Sequence, residues 1–299
     1  MNPPPMTPPP MTPPTASPPT ATRPGLSVLP TPAAQPRVRF RDLFAAEWIK
    51  LWSLPSTLGL LGIGTLLLIG LAVQSSLDTY QNWPDFGPQQ RSHYDPMSEA
   101  LSGAGVSLLM IGTGSVGALA IVGEYASGLI RTTLTAVPGR HPVVAAKVAV
   151  LAAVMLAVGT VVSLGTFGVS QAILSGRGIG LGVGDPGVAR VLLANALLAP
   201  VSALVGLGIG ALLRHTAGAV VTACGVLVVL PGFFKPSVHQ WANDVYNLFP
   251  FYDWRSCLSM LHPRESEALP TVADSWLAFT LWPVLAVAVT VIVVRRRDV

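Results

Sequence analysis

The chain has 299 residues, of which 51% are hydrophobic and only 11% charged, with a mean hydropathy of +0.58. Soluble domains carry about 25% charged residues, so this chain lacks the polar side chains to cover a water-facing surface, and a membrane protein is the first expectation. The net charge of +4 is small and matters by its location, nothing implies a nucleic-acid partner, and two cysteines (Cys224, Cys257) are too few for a disulfide framework.

Residues 1–36 hold 14 of the 28 prolines, with a near-repeat of "MTPP" at Met6 and Met11. Proline at that density keeps a backbone extended and solvated and buries no core, so this segment is expected to be a disordered tail. It has no basic start followed by an apolar run, so it does not read as a secretory signal; Met6 or Met11 is an alternative start. Next comes "RVRFRDLFAAEWIKLWSLPST". At 100° per residue, Phe40, Leu43, Phe44, Trp48, Leu51 and Leu54 share one face, and Arg39, Asp42, Lys50 and Ser53 the other. That pattern predicts an amphipathic helix lying in the membrane interface, ended by Pro55. Glu47 breaks the apolar face: it snorkels, pairs with Lys50 or an Arg of an inner loop, or meets another protein.

Six apolar stretches are long enough to span a bilayer: 57–73, 101–122, 143–164, 188–213, 217–234 and 275–294. The third run continues to about Leu174, and Pro200 and Pro283 should kink the fourth and sixth. With both termini inside, 12 of the 18 basic residues lie on the inner side and 10 of the 14 acids on the outer. The positive-inside rule then gives cytoplasmic termini. All seven Trp fall near interfaces or in outer segments. The spans are rich in small residues ("GLLGIG", "GTGSVGALA", "GLGIG"), which let helix backbones approach closely.

The middle of the spans carries no Asp, Glu, Lys or Arg, which argues against a proton relay. Ser115 is the nearest approach to an intramembrane nucleophile, but no His lies inside a span to serve as its base. His and Cys show no metal-ligand spacing, and G-x-x-x-x-G-K-[ST] is absent, so no cofactor is expected in this chain.

Between the second and third spans the apolar pattern stops for "VGEYASGLIRTTLTAVPGRHPVVAAK", residues 122–147. Residues 124–133 are expected to form a short helix, with Glu124 suiting its N-terminal dipole, before "VPGR" turns the chain. This stretch and "LFAAEWIKLWSLPST" resemble two signatures of the permease of type-2 ABC exporters, of the kind found in GC-rich bacteria: A-E-W-x-K-L-x-S-[LI]-x-S-T and G-E-[YF]-x-x-G-[TL]-[IL]-x-x-T-L-x-x-x-P-x-R-x-x-x-x-x-A-K. "NLFPF" at 247–251 is a weaker echo. Pro55 stands where the family often has Arg, and Leu129 where Thr is commoner. The likeness covers about residues 37–297.

The resemblance implies an all-α membrane protein: six transmembrane helices, an N-terminal amphipathic elbow helix bearing Glu47, Trp48 and Lys50, and a cytoplasmic coupling helix. It implies that Glu124, Tyr125, Gly128, Arg131, Thr132 and Thr133 dock onto a separate ABC ATPase subunit, where ATP and Mg would be held. A second permease copy, or a related permease, completes the pathway in the bacterial plasma membrane. The residues between the fifth and sixth spans would be re-entrant and form an outer gate, or be an interfacial loop. Spans without fixed charge suit a hydrophobic or amphipathic substrate such as a drug, antibiotic or lipid. A non-transporting membrane anchor or sensor that recruits an ATPase is the alternative.

Overall fold

A computed structural model of the chain describes residues 39–53, 55–136, 139–233, 248–250, 254, 258, 260, 261 and 271–296. The chain divides into two units, Met1–Arg37 and Val38–Val299. The first lies outside the described residues, as do most of the expected outer gate, Leu54, Trp241 and Cys257.

The second unit is helical, with no strand among the described residues. Among the described residues its helices are α1 (Phe40–Trp52), α2 (Pro55–Asn82), the short α3 (Pro88–Ser92), α4 (Gly103–Ala126), α5 (Leu129–Ala136), α6 (Arg140–Ser175), α7 (Val188–Leu213), α8 (Thr216–Cys224) and α9 (Val272–Arg296). Helix α8 continues through a π turn, Gly225–Val229, and a 3-10 turn, Leu230–Phe233. Among the described residues six helices are long and apolar enough to cross a membrane: α2, α4, α6, α7, the extended α8 and α9. Helices suit this role because each satisfies its own backbone groups, which hydrocarbon cannot.

Several boundaries differ from those expected. Helix α2 runs on to Asn82 because Gln74, Ser75, Ser76, Asp78 and Thr79, though polar, are ordinary helix residues. Helix α6 has 36 residues and is about 54 Å long at 1.5 Å per residue, so it extends well beyond a hydrocarbon core. Pro200 and Pro283 sit inside α7 and α9, and both helices run through them without a break. Neighbouring helices keep such positions packed and supply what the missing N–H removes.

Helix α7 is the central pillar, with most of its residues buried, Asn195 and Ser202 among them. Small residues allow this. A Cβ on Gly117 of α4 would lie 1.8 Å from the Ala203 carbonyl oxygen, one on Gly206 would lie 1.9 Å from that of Gly114, and one on Gly159 of α6 would lie 2.1 Å from that of Ala196. Backbone therefore rests on backbone, the contact that Gly uniquely permits. Ser163 of α6 adds a hydrogen bond to the Leu192 carbonyl oxygen, 2.9 Å. Of the three small-residue stretches, "GLGIG" and the middle of "GTGSVGALA" serve packing within the chain. The glycines of "GLLGIG" on α2 face open space.

The end of the bundle opposite α1 and α5 is closed by polar contacts. The buried Glu99 carboxylate accepts hydrogen bonds from Ser75, Thr79 (3.0 Å) and Tyr94 (3.4 Å). Asp95 accepts from the Leu261 amide, 2.8 Å. Trp254, from the outer segment between the fifth and sixth spans, is buried and donates its indole N–H to Asn195, 2.7 Å. A Trp inside apolar surroundings needs such a partner.

If glycine contact sets the α4–α7 spacing, Gly117→Ala lowers stability by at least about 2 kcal/mol through overpacking. Gly62→Ala, with nothing near its Cβ, stays within about 0.5 kcal/mol. Thermal unfolding in nanodiscs measures both.

Candidate functional site

The two charged stretches singled out in the sequence meet at one end of the bundle. Helix α1 begins with the Arg39 amide donating to the Asp42 carboxylate, 3.1 Å, an arrangement that satisfies an N-terminal donor and suits the helix dipole. Its buried side then presents Leu43 and Glu47, with Lys50 half-buried one turn on. The expected apolar face is divided between two surroundings. Phe40, Trp48 and Trp52 are exposed, and along the helix Trp48 stacks on Phe44 at 6.4 Å and meets Trp52 at a tilt, 5.6 Å between ring centroids. Leu43 packs with Val143 and Ala146 of α6, so the aromatic side points away from the bundle and the Glu47 side points into it. The apolar arc was wide enough for two uses, and Glu47 marks the half that docks.

A correction concerns Glu124. It does not open the short helix after the second span but lies in the last turn of α4. Ser127 caps α4, Gly128 reverses the chain at φ +72°, and α5 starts only at Leu129. The left-handed conformation at Gly128 is one that a residue with a Cβ resists, and it ends helices commonly.

Glu47, Lys50, Glu124 and Lys147 form a closed ring of alternating charge. Lys147 Nζ donates to Glu47 Oε2 at 2.5 Å and to Glu124 Oε1 at 2.9 Å. Lys50 Nζ donates to Glu47 Oε1 at 2.7 Å and to Glu124 Oε1 at 2.9 Å. Lys147 also reaches the Ala120 carbonyl oxygen, 3.4 Å. Glu47 is 6% exposed, Glu124 8% and Lys147 8%, so three of the four charges are buried. Such burial is tolerable because the ring is neutral and each ammonium bonds both carboxylates. Burial pushes the Glu47 carboxyl up, but Lys147 and Lys50 outweigh it and hold the group below the usual 4.5. Burial likewise pushes Lys50 down, and Glu47 and Glu124 outweigh it, leaving the ammonium above 10.5.

The other expected site residues lie around this ring. Tyr125 carries the Arg214 guanidinium over its ring at 4.4 Å, which links α4 to the turn between α7 and α8. Arg214 ends α7 in the left-handed region, φ 54°, and its Nε and Nη2 and the Tyr125 hydroxyl are buried with no hydrogen-bond partner among the described residues. On α5, Ile130 is buried and Thr133 half-buried against Ile121, Val143 and Val294, while Leu129 and Thr132 are exposed. The Thr132 hydroxyl donates to the Leu129 carbonyl oxygen, 2.9 Å. Arg131 belongs to α5, and its side chain lies outside the described residues. Lys147 was not among the expected site residues, although a lone Lys at the end of the motif and inside an apolar run signalled it. Arg214 was also missed; it follows a long apolar run and sits in no motif. Ser115, the sequence's nearest approach to a nucleophile, donates to the Ile111 carbonyl oxygen of its own helix at 2.6 Å.

Lys147→Met leaves a buried carboxylate short of a partner and should cost about 3–5 kcal/mol, read as lost thermal stability. Acid and base act on the same ring. The contribution of Glu47, whose folded value is depressed, is present above 4.5 and is lost as pH falls through that depressed value. The contribution of Lys50, whose folded value is raised, is present below 10.5 and is lost as pH rises through that raised value. Stability should therefore hold between these limits and decline on both sides, and an E47Q/K50M variant should flatten the pH profile.

No curated protein matches the sequence. The family model described as "ABC-2 family transporter protein" matches residues 60–299. The match takes in Glu124, Lys147 and all of α4 to α9; α1, with Glu47 and Lys50, lies ahead of it. Six candidate spans and a match over well over half of the sequence lead to one conclusion: the chain belongs to the ABC-2 transporter family, as a multi-pass membrane permease that is itself not catalytic.

Proposed function

We propose that this permease is the pathway-forming part of an ABC exporter in a bacterial plasma membrane, energised by a separate ATPase subunit that docks on α5. The single observation that carries this reading is the convergence of both charged stretches behind α5. A buried, fully paired ring fixes the bundle end from which α5 projects, and α5 offers an exposed Leu129 and Thr132 beyond it. A short helix attached to the bundle through a Gly128 pivot and a buried Ile130 is suited to receive a push and pass it into α4 and α6.

Both termini are cytoplasmic in this reading, as the distribution of basic residues favours. ATP and Mg belong to the docked subunit, since this sequence has no phosphate-binding loop. A second copy, or a related permease, supplies the other wall of the pathway, and the bundles alternate between openings to the two sides. The substrate is hydrophobic or amphipathic. A groove between α2, α4 and α6 supports that class: it is lined by Leu61, Leu68, Leu109 and Val162 with only Thr65 and Thr113 as polar groups.

Liposomes holding the chain and the ATPase subunit test the reading with a fluorescent amphipathic cation as cargo. ATP-dependent movement of the dye is expected, and its absence with every partner ATPase that binds would overturn the assignment. Arg131→Glu and Leu129→Asp, both on α5, should each cut transport at least about tenfold, as loss of a central contact does. Thermal unfolding of the bundle should stay unchanged in these two variants. Normal transport in both would remove α5 as the docking element.

A further inference from the structure

We infer that Lys147 is a positioning residue that ties the elbow helix to the stroke, so that movement at α5 is passed to α1 by charge rather than by packing. The inference rests on the reading that α5 receives the ATPase. Three helices meet in the ring: Glu47 and Lys50 come from α1, Glu124 from the last turn of α4, and Lys147 from near the start of α6. Lys147 bonds both carboxylates from a nine-tenths buried position on α6, at 2.5 and 2.9 Å, whereas Lys50, the other ammonium that bonds both, is only half-buried and sits on α1 itself.

The apolar attachment of α1 is thin by comparison. Leu43 joins Val143 and Ala146 in a three-residue cluster, and Phe44 and Leu51 are only partly buried against the main core. Most of the rest of α1 is outward-facing: Phe40, Trp48, Ile49 and Trp52 are exposed. Weak apolar packing slides, because dispersion contacts have no fixed partner. Short charge-assisted hydrogen bonds in a water-poor site hold particular atoms together. Glu124 lies four residues before Gly128, the pivot of α5. A push on α5 that tilts the end of α4 displaces Glu124, and the ring must follow as a unit or lose buried ion pairs. Helix α1, with its aromatic side toward the membrane interface, is then drawn along.

Double neutralisation separates this role from stability. E124Q/K147M removes one negative and one positive charge, leaves the neutral Glu47–Lys50 pair of α1, 2.7 Å, and so avoids a lone buried charge. K147R keeps the charge. Nitroxide labels on the exposed Ser53 and Thr135, each paired with one on Ser175 at the far end of α6, report on α1 and α5 separately, with both native cysteines replaced by Ser. The chain is held in nanodiscs with its ATPase subunit, and distances are compared with and without ATP and vanadate. The expected result is that both distances shift in the parent and in K147R, whereas E124Q/K147M keeps the Thr135 shift and loses the Ser53 shift. A Ser53 shift retained in E124Q/K147M, or absent from the parent while Thr135 moves, overturns the inference alone. No shift at either position in the parent overturns it together with the docking of an ATPase on α5.

Discussion

Two carboxylates and two ammonium groups share a space in which an isolated charge would be untenable. Glu47, Lys50, Glu124 and Lys147 occupy it together because their charges cancel and every ammonium finds two acceptors. A charge buried alone is excluded by its desolvation, so each member of the ring constrains the position of the other three. That constraint ties α1 to the last turn of α4 and to the start of α6. Ser127 and the left-handed Gly128 then end α4 and lead the chain into α5.

The remainder of the unit obeys a simpler rule. Within hydrocarbon, helices gain nothing from burying apolar side chains against one another, so close backbone contact and hydrogen bonds supply the association. Gly117, Gly159 and Gly206 bring α4 and α6 onto α7, and Ser163, Asn195 and Trp254 add specific hydrogen bonds. The bundle is therefore tight along α7 and comparatively open along α2, whose Gly59, Gly62 and Gly64 meet no neighbour. A tight pillar with a looser flank and a charged brace at one end is a structure in which parts move relative to each other as units.

Much of this was legible in the sequence, and the remainder was hidden for identifiable reasons. Long apolar runs announced the six spans, since hydrocarbon thickness leaves little choice of length. The end of α2 was less visible because a polar helix and a polar loop have similar composition, as 74–82 shows. Helical periodicity placed Glu47 on the apolar face of α1 correctly but could not tell which part of that face met protein and which met lipid. Glu124 suited the start of a helix as well as it suits the end of one paired with lysines; only the partner from α6 decides. The pairing of Lys147 with Glu47, a hundred residues apart, is a tertiary fact that a single sequence does not display. The glycine stretches signalled close approach without naming the partner, and α7 supplied it.

Coupling requires that α5 face the compartment that holds ATP and meet a subunit there. Reaction of a Thr135→Cys variant, on a background free of native cysteines, with a membrane-impermeant maleimide tests this most directly. No labelling is expected in intact cells, rapid labelling in inverted membrane vesicles stripped of peripheral proteins, and protection when the ATPase subunit is added back. Labelling in intact cells would place α5 on the opposite side of the membrane and contradict the account at its base.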